Sequence, residues 1–161
     1  MNLLVALILM GTHPLNAYAA VAIATCESGN TIDFGTYDWT ARSVTNDGGA
    51  FQFNDATWNW LVGTGSGDTA TPLLQVKTFQ RLYLHGTGIV HWSASQQCWS
   101  QWLNQYGQPV NQAHYRAFVT EYLSHALFKG AHYCETFHGM STYLAYCWLL
   151  EQSVVRNNHN P

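Results

Sequence analysis

An alanine-rich stretch, His13 to Cys26, runs without a single charge into one carboxylate, Glu27, followed at once by Ser28 and Gly29. Alanine has the highest helix propensity and lets neighbouring elements approach closely. The stretch therefore predicts a helix over residues 13–26 that delivers Glu27 at its end. A carboxylate joined to an apolar helix end is where burial raises a pKa, and a raised pKa gives a general acid at neutral pH. A second stretch, Asp47 to Trp58, reads DGGAFQFNDATW. Gly48 and Gly49 permit a tight turn, Asp-Gly signals a hairpin, and Phe51-Gln52-Phe53 presents a polar side chain from an apolar ribbon. Asn54 or Asp55 can cap a helix running from near Ala56 to about Leu61.

At 161 residues the chain can bury a real core, as one domain or one domain with an appendage. Charged residues make up 9% of it, against about a quarter in a typical domain. Its surface must therefore be solvated by Ser, Thr, Asn and Gln. The net charge is −3 and the six basic residues are scattered, so nothing gathers to neutralise phosphates and a nucleic-acid partner is not expected. A sugar polymer suits the composition better, because the faces of the seven tryptophans can stack on pyranose rings. The same seven can equally be core.

Taken in order, Met1 to Met10 is apolar but shorter than the roughly twenty residues that span a bilayer. It reads either as the centre of a secretion signal, with Ala17-Tyr18-Ala19 as a small-x-small cleavage site, or as a buried first helix broken at Gly11. Thr31 to Val44 is polar and aromatic, an extended loop over a cleft. Gly63 to Gly67 has alternating glycines, but no strand leads into it and it reads as a plain loop. Thr71 to Leu84 places Leu73, Leu74, Val76, Phe79, Leu82 and Leu84 near helical spacing, a core-packing helix. Asn111 to Lys129 gives an amphipathic helix closed by Gly130, and Met140 to Val155 gives a second. These two must pack on the rest of the chain or on a protein partner. There is no internal repeat and no low-complexity linker.

Four cysteines, an even number, favour an oxidising destination, and three pairings are open to them. Cys134 and Cys147 lie thirteen residues apart, which on one straight helix is roughly 20 Å. A bond between them needs Cα atoms within about 7 Å, hence a chain reversal near Gly139. His132, Cys134 and His138 sit close in sequence, but no second Cys or His pair stands at finger-like spacing. No metal and no cofactor is expected. Ser28 lacks the Gly-x-Ser-x-Gly setting of a hydrolase nucleophile.

The ordered set Cys26-Glu27-Ser28-Gly29, then Gly48-Gly49-Ala50-Phe51-Gln52-Phe53, then Ala56-Thr57-Trp58, then Trp92 and Cys98, resembles the resuscitation-promoting factors and their relatives among lysozyme-like transglycosylases. The resemblance covers about residues 18–100. It implies an α+β, mainly α, lysozyme-like domain with a small β-turn or hairpin region, over residues 18–108. An apolar segment, 1–17, would precede it and a helical extension, 109–161, would follow. It further implies a Cys26–Cys98 disulfide, Glu27 as the general acid, Gln52 and Thr57 as cleft residues that hydrogen-bond the sugar or order the glutamate, and Trp58 and Trp92 as packing or stacking partners. A tryptophan at a helix start such as Trp58 is more often core than cleft.

The expected reaction is cleavage of the bond between N-acetylmuramic acid and N-acetylglucosamine in peptidoglycan strands, by a lytic transglycosylase or a muramidase. Many glycosidases add a second carboxylate. Asp33, Asp38 and Asp47 are candidates for it, Asp47 first. The resemblance implies a single glutamate, with the substrate's own acetamido or 6-hydroxyl group intercepting the cationic carbon. Such an enzyme would be secreted to the wall or carried in a bacteriophage particle. The other reading is a wall-binding or structural virion protein that keeps the fold without the reaction.

Overall fold

The computed structural model describes residues 1–84 and 88–136, with side chains in the last helix as far as Ala126. Two compact units are present, Met1–Phe118 and Val119–Pro161. The fold is mainly helical.

Helix α1, Leu3–Leu9, is capped by the Asn2 side chain, which accepts from the Leu4 amide at 2.8 Å, and it buries Leu3, Ala6 and Leu7. Gly11, at φ 62°, turns the chain into helix α2, Pro14–Ser28, whose cap is His13. Every residue from Ala17 to Thr25 is buried, so α2 runs through the interior, as a helix that is apolar on all sides must. The first helix is thus part of the packed core, against α2 and the later helix over Pro72–Leu84. No helix among the described residues is long and apolar enough to cross a membrane.

Helix α3, Asp55–Leu61, starts where Asn54 accepts from the Thr57 amide at 2.8 Å. Helix α4, Pro72–Leu84, buries Gln75, Val76, Thr78, Phe79 and Leu82. Leu73 and Leu84 were expected in the core but are exposed. The inward stripe follows 75, 76, 79 and 82, and these two leucines fall on the opposite face. Phe79 stacks between Phe51 at 4.6 Å and Tyr83 at 5.1 Å and touches Trp92 at 5.1 Å.

The polar member of that stripe, Gln75, is fully buried because main-chain groups use its whole amide. Its Oε1 accepts from the Ala50 amide at 2.8 Å, and its Nε2 donates to the carbonyls of Trp39 at 2.9 Å and Ala70 at 3.1 Å. Three loops are thereby tied to one helix. Gln75→Leu would strand these groups and should cost about 3 kcal/mol. A urea melt checks this, and an unchanged midpoint would mean that the loops hold themselves.

The Asp47–Phe53 hairpin is reduced to isolated bridges, Arg42 with Gly48 and Gly48 with Phe53. Gly48 and Phe53 exchange both main-chain hydrogen bonds, at 2.8 and 2.9 Å, around a turn so tight that Gln52 takes φ 48°. A 3-10 segment, Gly88–Ser95, kinks at Trp92 and leads into the short helix α5, Gln96–Trp99. Helix α6, Gln112–Thr136, does not stop at Gly130 as expected. A helical glycine costs only about 1 kcal/mol, and no proline follows to enforce an end. Within the first unit, His114 and Phe118 of α6 join Tyr18 and Phe34 in an aromatic cluster, and the Tyr18 hydroxyl lies 2.8 Å from His114 Nδ1. The expected helix over 140–155, the Cys134 and Cys147 side chains and the His132–His138 group lie outside the described residues.

Candidate functional site

Glu27 stands in the last turn of α2, where the interior helix emerges, and it is half-buried. Its neighbour Cys26 is bonded to Cys98 of α5, with 5.7 Å between their Cα atoms. This bond fastens the segment 88–99 against the end of α2. It thereby brings Ser95, three residues before Cys98, to Glu27: the Ser95 hydroxyl donates to Glu27 Oε1 at 2.5 Å. The same hydroxyl lies 3.1 Å from the Trp92 carbonyl.

Burial pushes the Glu27 carboxyl up to about 7, the Ser95 hydrogen bond pulls it down, and the negative charge of Asp47 pushes it up. The C-terminal end of the helix macrodipole acts in the same upward sense. Among the described residues no cation pairs with Glu27. Arg42 is engaged elsewhere, with Asp55 at 2.8 Å and Asp68 at 2.9 Å. A carboxyl so placed is divided between its acid and its base forms near neutrality, as a group that both gives and receives a proton must be.

Ser28 and Gly29 hold the site's edges together. The Ser28 hydroxyl reaches the Ala50 carbonyl at 3.0 Å and accepts from the Asp38 amide at 3.0 Å, joining α2 to the 48–53 turn and to the 31–44 loop. At Gly29 a Cβ would collide with the carbonyl oxygens of Thr36 and Thr25, so only glycine allows the loop to lie this close. The loop itself is fastened to α1: Tyr37 Oη accepts from the Leu3 amide and Trp39 Nε1 donates to the Met1 carbonyl, both at 2.7 Å.

The structure sorts the remaining candidates. Asp47 is the carboxylate whose charge reaches Glu27, and it accepts from Thr45 at 2.6 Å. Asp33 is spent on Asn30 and Asp38 on Thr40. Gln52 turns its amide nitrogen onto the carbonyls of Gly49 and Ala41, at 2.9 and 3.2 Å, so it braces the turn. Thr57 is half-buried in the first turn of α3.

Of the packing and stacking alternatives for Trp58 and Trp92, the structure has both packed in the core. Trp58 is 1% exposed and donates to the Thr64 carbonyl, and Trp92 is 4% exposed and donates to the Phe51 carbonyl at 2.9 Å. Each indole has an N–H that needs a buried acceptor, and each finds one in the main chain. Among the described residues the tryptophan open to solvent is Trp60, 74% exposed and one turn after Thr57 on α3.

Ser95 and Gln75 went unnoticed in the sequence. A serine in a run of Ser, Ala and Gln carries no local signal, but its distance of three residues from a cysteine bonded beside the glutamate would have pointed to it. No family model, no curated protein and no solved structure matches the chain.

Proposed function

We propose that this protein is a peptidoglycan hydrolase of the lysozyme-like kind, cleaving the bond between N-acetylmuramic acid and N-acetylglucosamine with Glu27 as its single general acid. The observation that carries this reading is the half-buried Glu27 carboxyl raised to about 7, with a hydroxyl beside it and, among the described residues, no cation paired to it. Glu27 gives its proton to the bridging oxygen as the glycosidic bond breaks, and the substrate's acetamido oxygen or 6-hydroxyl bonds to the developing cation. The Glu27 carboxylate takes a proton back from that 6-hydroxyl or from the water that opens the acetamido adduct. Burial keeps the acid protonated, with a smaller push from the charge of Asp47, which takes no covalent part. The disulfide fits a protein delivered outside the cytoplasm, by secretion to the wall or in a bacteriophage particle.

The second reading, a wall-binding or virion protein without the reaction, draws on the inward Trp58 and Trp92 and on the self-satisfied Gln52. Zymography on purified wall separates the two. Wild type should clear, and Glu27→Gln should be slower by about 10²–10⁴-fold, the contribution of a positioned acid. Equal clearing by both forms, or none by either, excludes the enzyme. Mass spectrometry then divides the reaction types, since an anhydro terminus marks a transglycosylase and a reducing end a muramidase.

A further inference from the structure

The Ser95 hydroxyl has one hydrogen and two acceptors within reach. Glu27 Oε1 lies at 2.5 Å and the Trp92 carbonyl at 3.1 Å. A hydroxyl donates once and accepts on its lone pairs, so the two contacts cannot both be donations at one moment. When Glu27 is ionised, the hydrogen belongs to the carboxylate, and 2.5 Å lies within the span of a charge-assisted O–H···O⁻ bond. When Glu27 is protonated, the carboxyl has a hydrogen of its own to give, and Ser95 can accept it by turning its own hydrogen to the Trp92 carbonyl, the protein acceptor in reach.

We infer that Ser95 is a positioning residue that swings its hydrogen between Glu27 and the Trp92 carbonyl, holding the carboxyl in one orientation through both protonation states. The inference rests on the proposed role of Glu27 as an acid that cycles its proton. Ser95 keeps its own proton throughout; what leaves is the Glu27 proton, to the leaving oxygen.

The frame around the hydroxyl is rigid enough for this. The Trp92 carbonyl is fixed by a second donor, Trp99 Nε1 at 2.7 Å, and it has two lone pairs to serve both. Trp92 itself is buried and anchored to Phe51. The Cys26–Cys98 bond ties the donor's segment to the acceptor's helix. Of charged groups, Asp47 from the turn reaches Glu27. The 3-10 segment adds His91, set edge-on to Trp92, and α2 and α5 add no other acidic or basic side chain.

The test is a pH titration by NMR of the full disulfide-bonded chain without substrate. Glutamate carboxyl carbons are labelled, with Glu27 assigned through Glu27→Gln, together with tryptophan carbonyl carbons bonded to labelled serine nitrogens. Two tryptophan carbonyls then report, Trp92 before Ser93 and Trp99 before Ser100, the second serving as control. In wild type the Trp92 carbonyl should move with the Glu27 midpoint. In Ser95→Ala it should stop following, and the midpoint should rise by about 1–2 pH units for the lost hydrogen bond to a charge. Ser95→Thr should restore both.

A Trp92 carbonyl that stays still through the wild-type titration overturns the inference, and this reading needs no variant to fold. So does a Ser95→Ala midpoint equal to wild type, or a carbonyl that still follows, which would be plain field effect. On wall substrate, Ser95→Ala should lower kcat on the order of tenfold with KM kept, and Ser95→Thr should recover it. Failure of wild type to clear wall, with the titrations coupled, would remove the hydrolase and leave the swinging hydrogen intact.

Discussion

Glu27→Gln should leave the protein more stable than wild type at pH 8, by about 2–3 kcal/mol, and no more stable at pH 4. The folded carboxyl titrates at about 7 and the unfolded one near 4.5. Between these values the folded state holds more protons than the unfolded state, so the stability of wild type falls as pH rises through that window. Above it the loss is complete and constant. Glutamine carries no charge and escapes the loss, with partial solvation of Glu27 trimming the full shift to the range given. Urea midpoints at the two pH values check this. A gain of equal size at both would locate the effect in packing and would remove the raised carboxyl from the argument for an acid. Paired with lost clearing, the gain would mark a site where stability is given up for reaction.

Replacing Cys26 and Cys98 by alanine should lower the unfolding free energy by about 4 kcal/mol, from loop-closure entropy over a sequence separation of 72. Activity should fall further than stability accounts for. The segment 88–99 meets α2 at the bond, and once it is cut Ser95 is kept on Glu27 by its own hydrogen bond and by the packing of Trp92, without a covalent tether. Thermal melts and clearing assays at a temperature where the variant is still folded separate the two effects. Full clearing by a folded, bond-free variant would show that the site assembles without its tether.

The interior helix was legible because its alanines run uninterrupted to Glu27, and α3 because Asn54 is a strong cap placed before Ala56-Thr57-Trp58. The Cys26–Cys98 bond was legible only through likeness to a known pattern, since four cysteines leave the choice open. What stayed hidden depends on partners distant along the chain. Trp58 and Trp92 read as core or cleft until their N–H acceptors, Thr64 and Phe51, are seen. Gln75 sits in an ordinary amphipathic stripe, and what keeps it there is the main chain of Trp39, Ala50 and Ala70, five to thirty-six residues away. The hairpin signal of Asp47-Gly48 was locally sound, but Gln75 and Arg42 take up the turn's neighbours and leave no ladder for strands to extend.

The fastening of α1 makes the leading residues part of the interior. A peptidase clipping after Ala19 would carry off Leu3 and Leu7 from the interior, the Tyr18 ring on which Phe34 and Phe118 lean, and the donor that occupies Tyr37. The truncated product would begin in mid-helix, with its buried flank open to water. The leading helix thus works as an inner wall of the first unit, and α2 depends on it for one side of its dry surroundings.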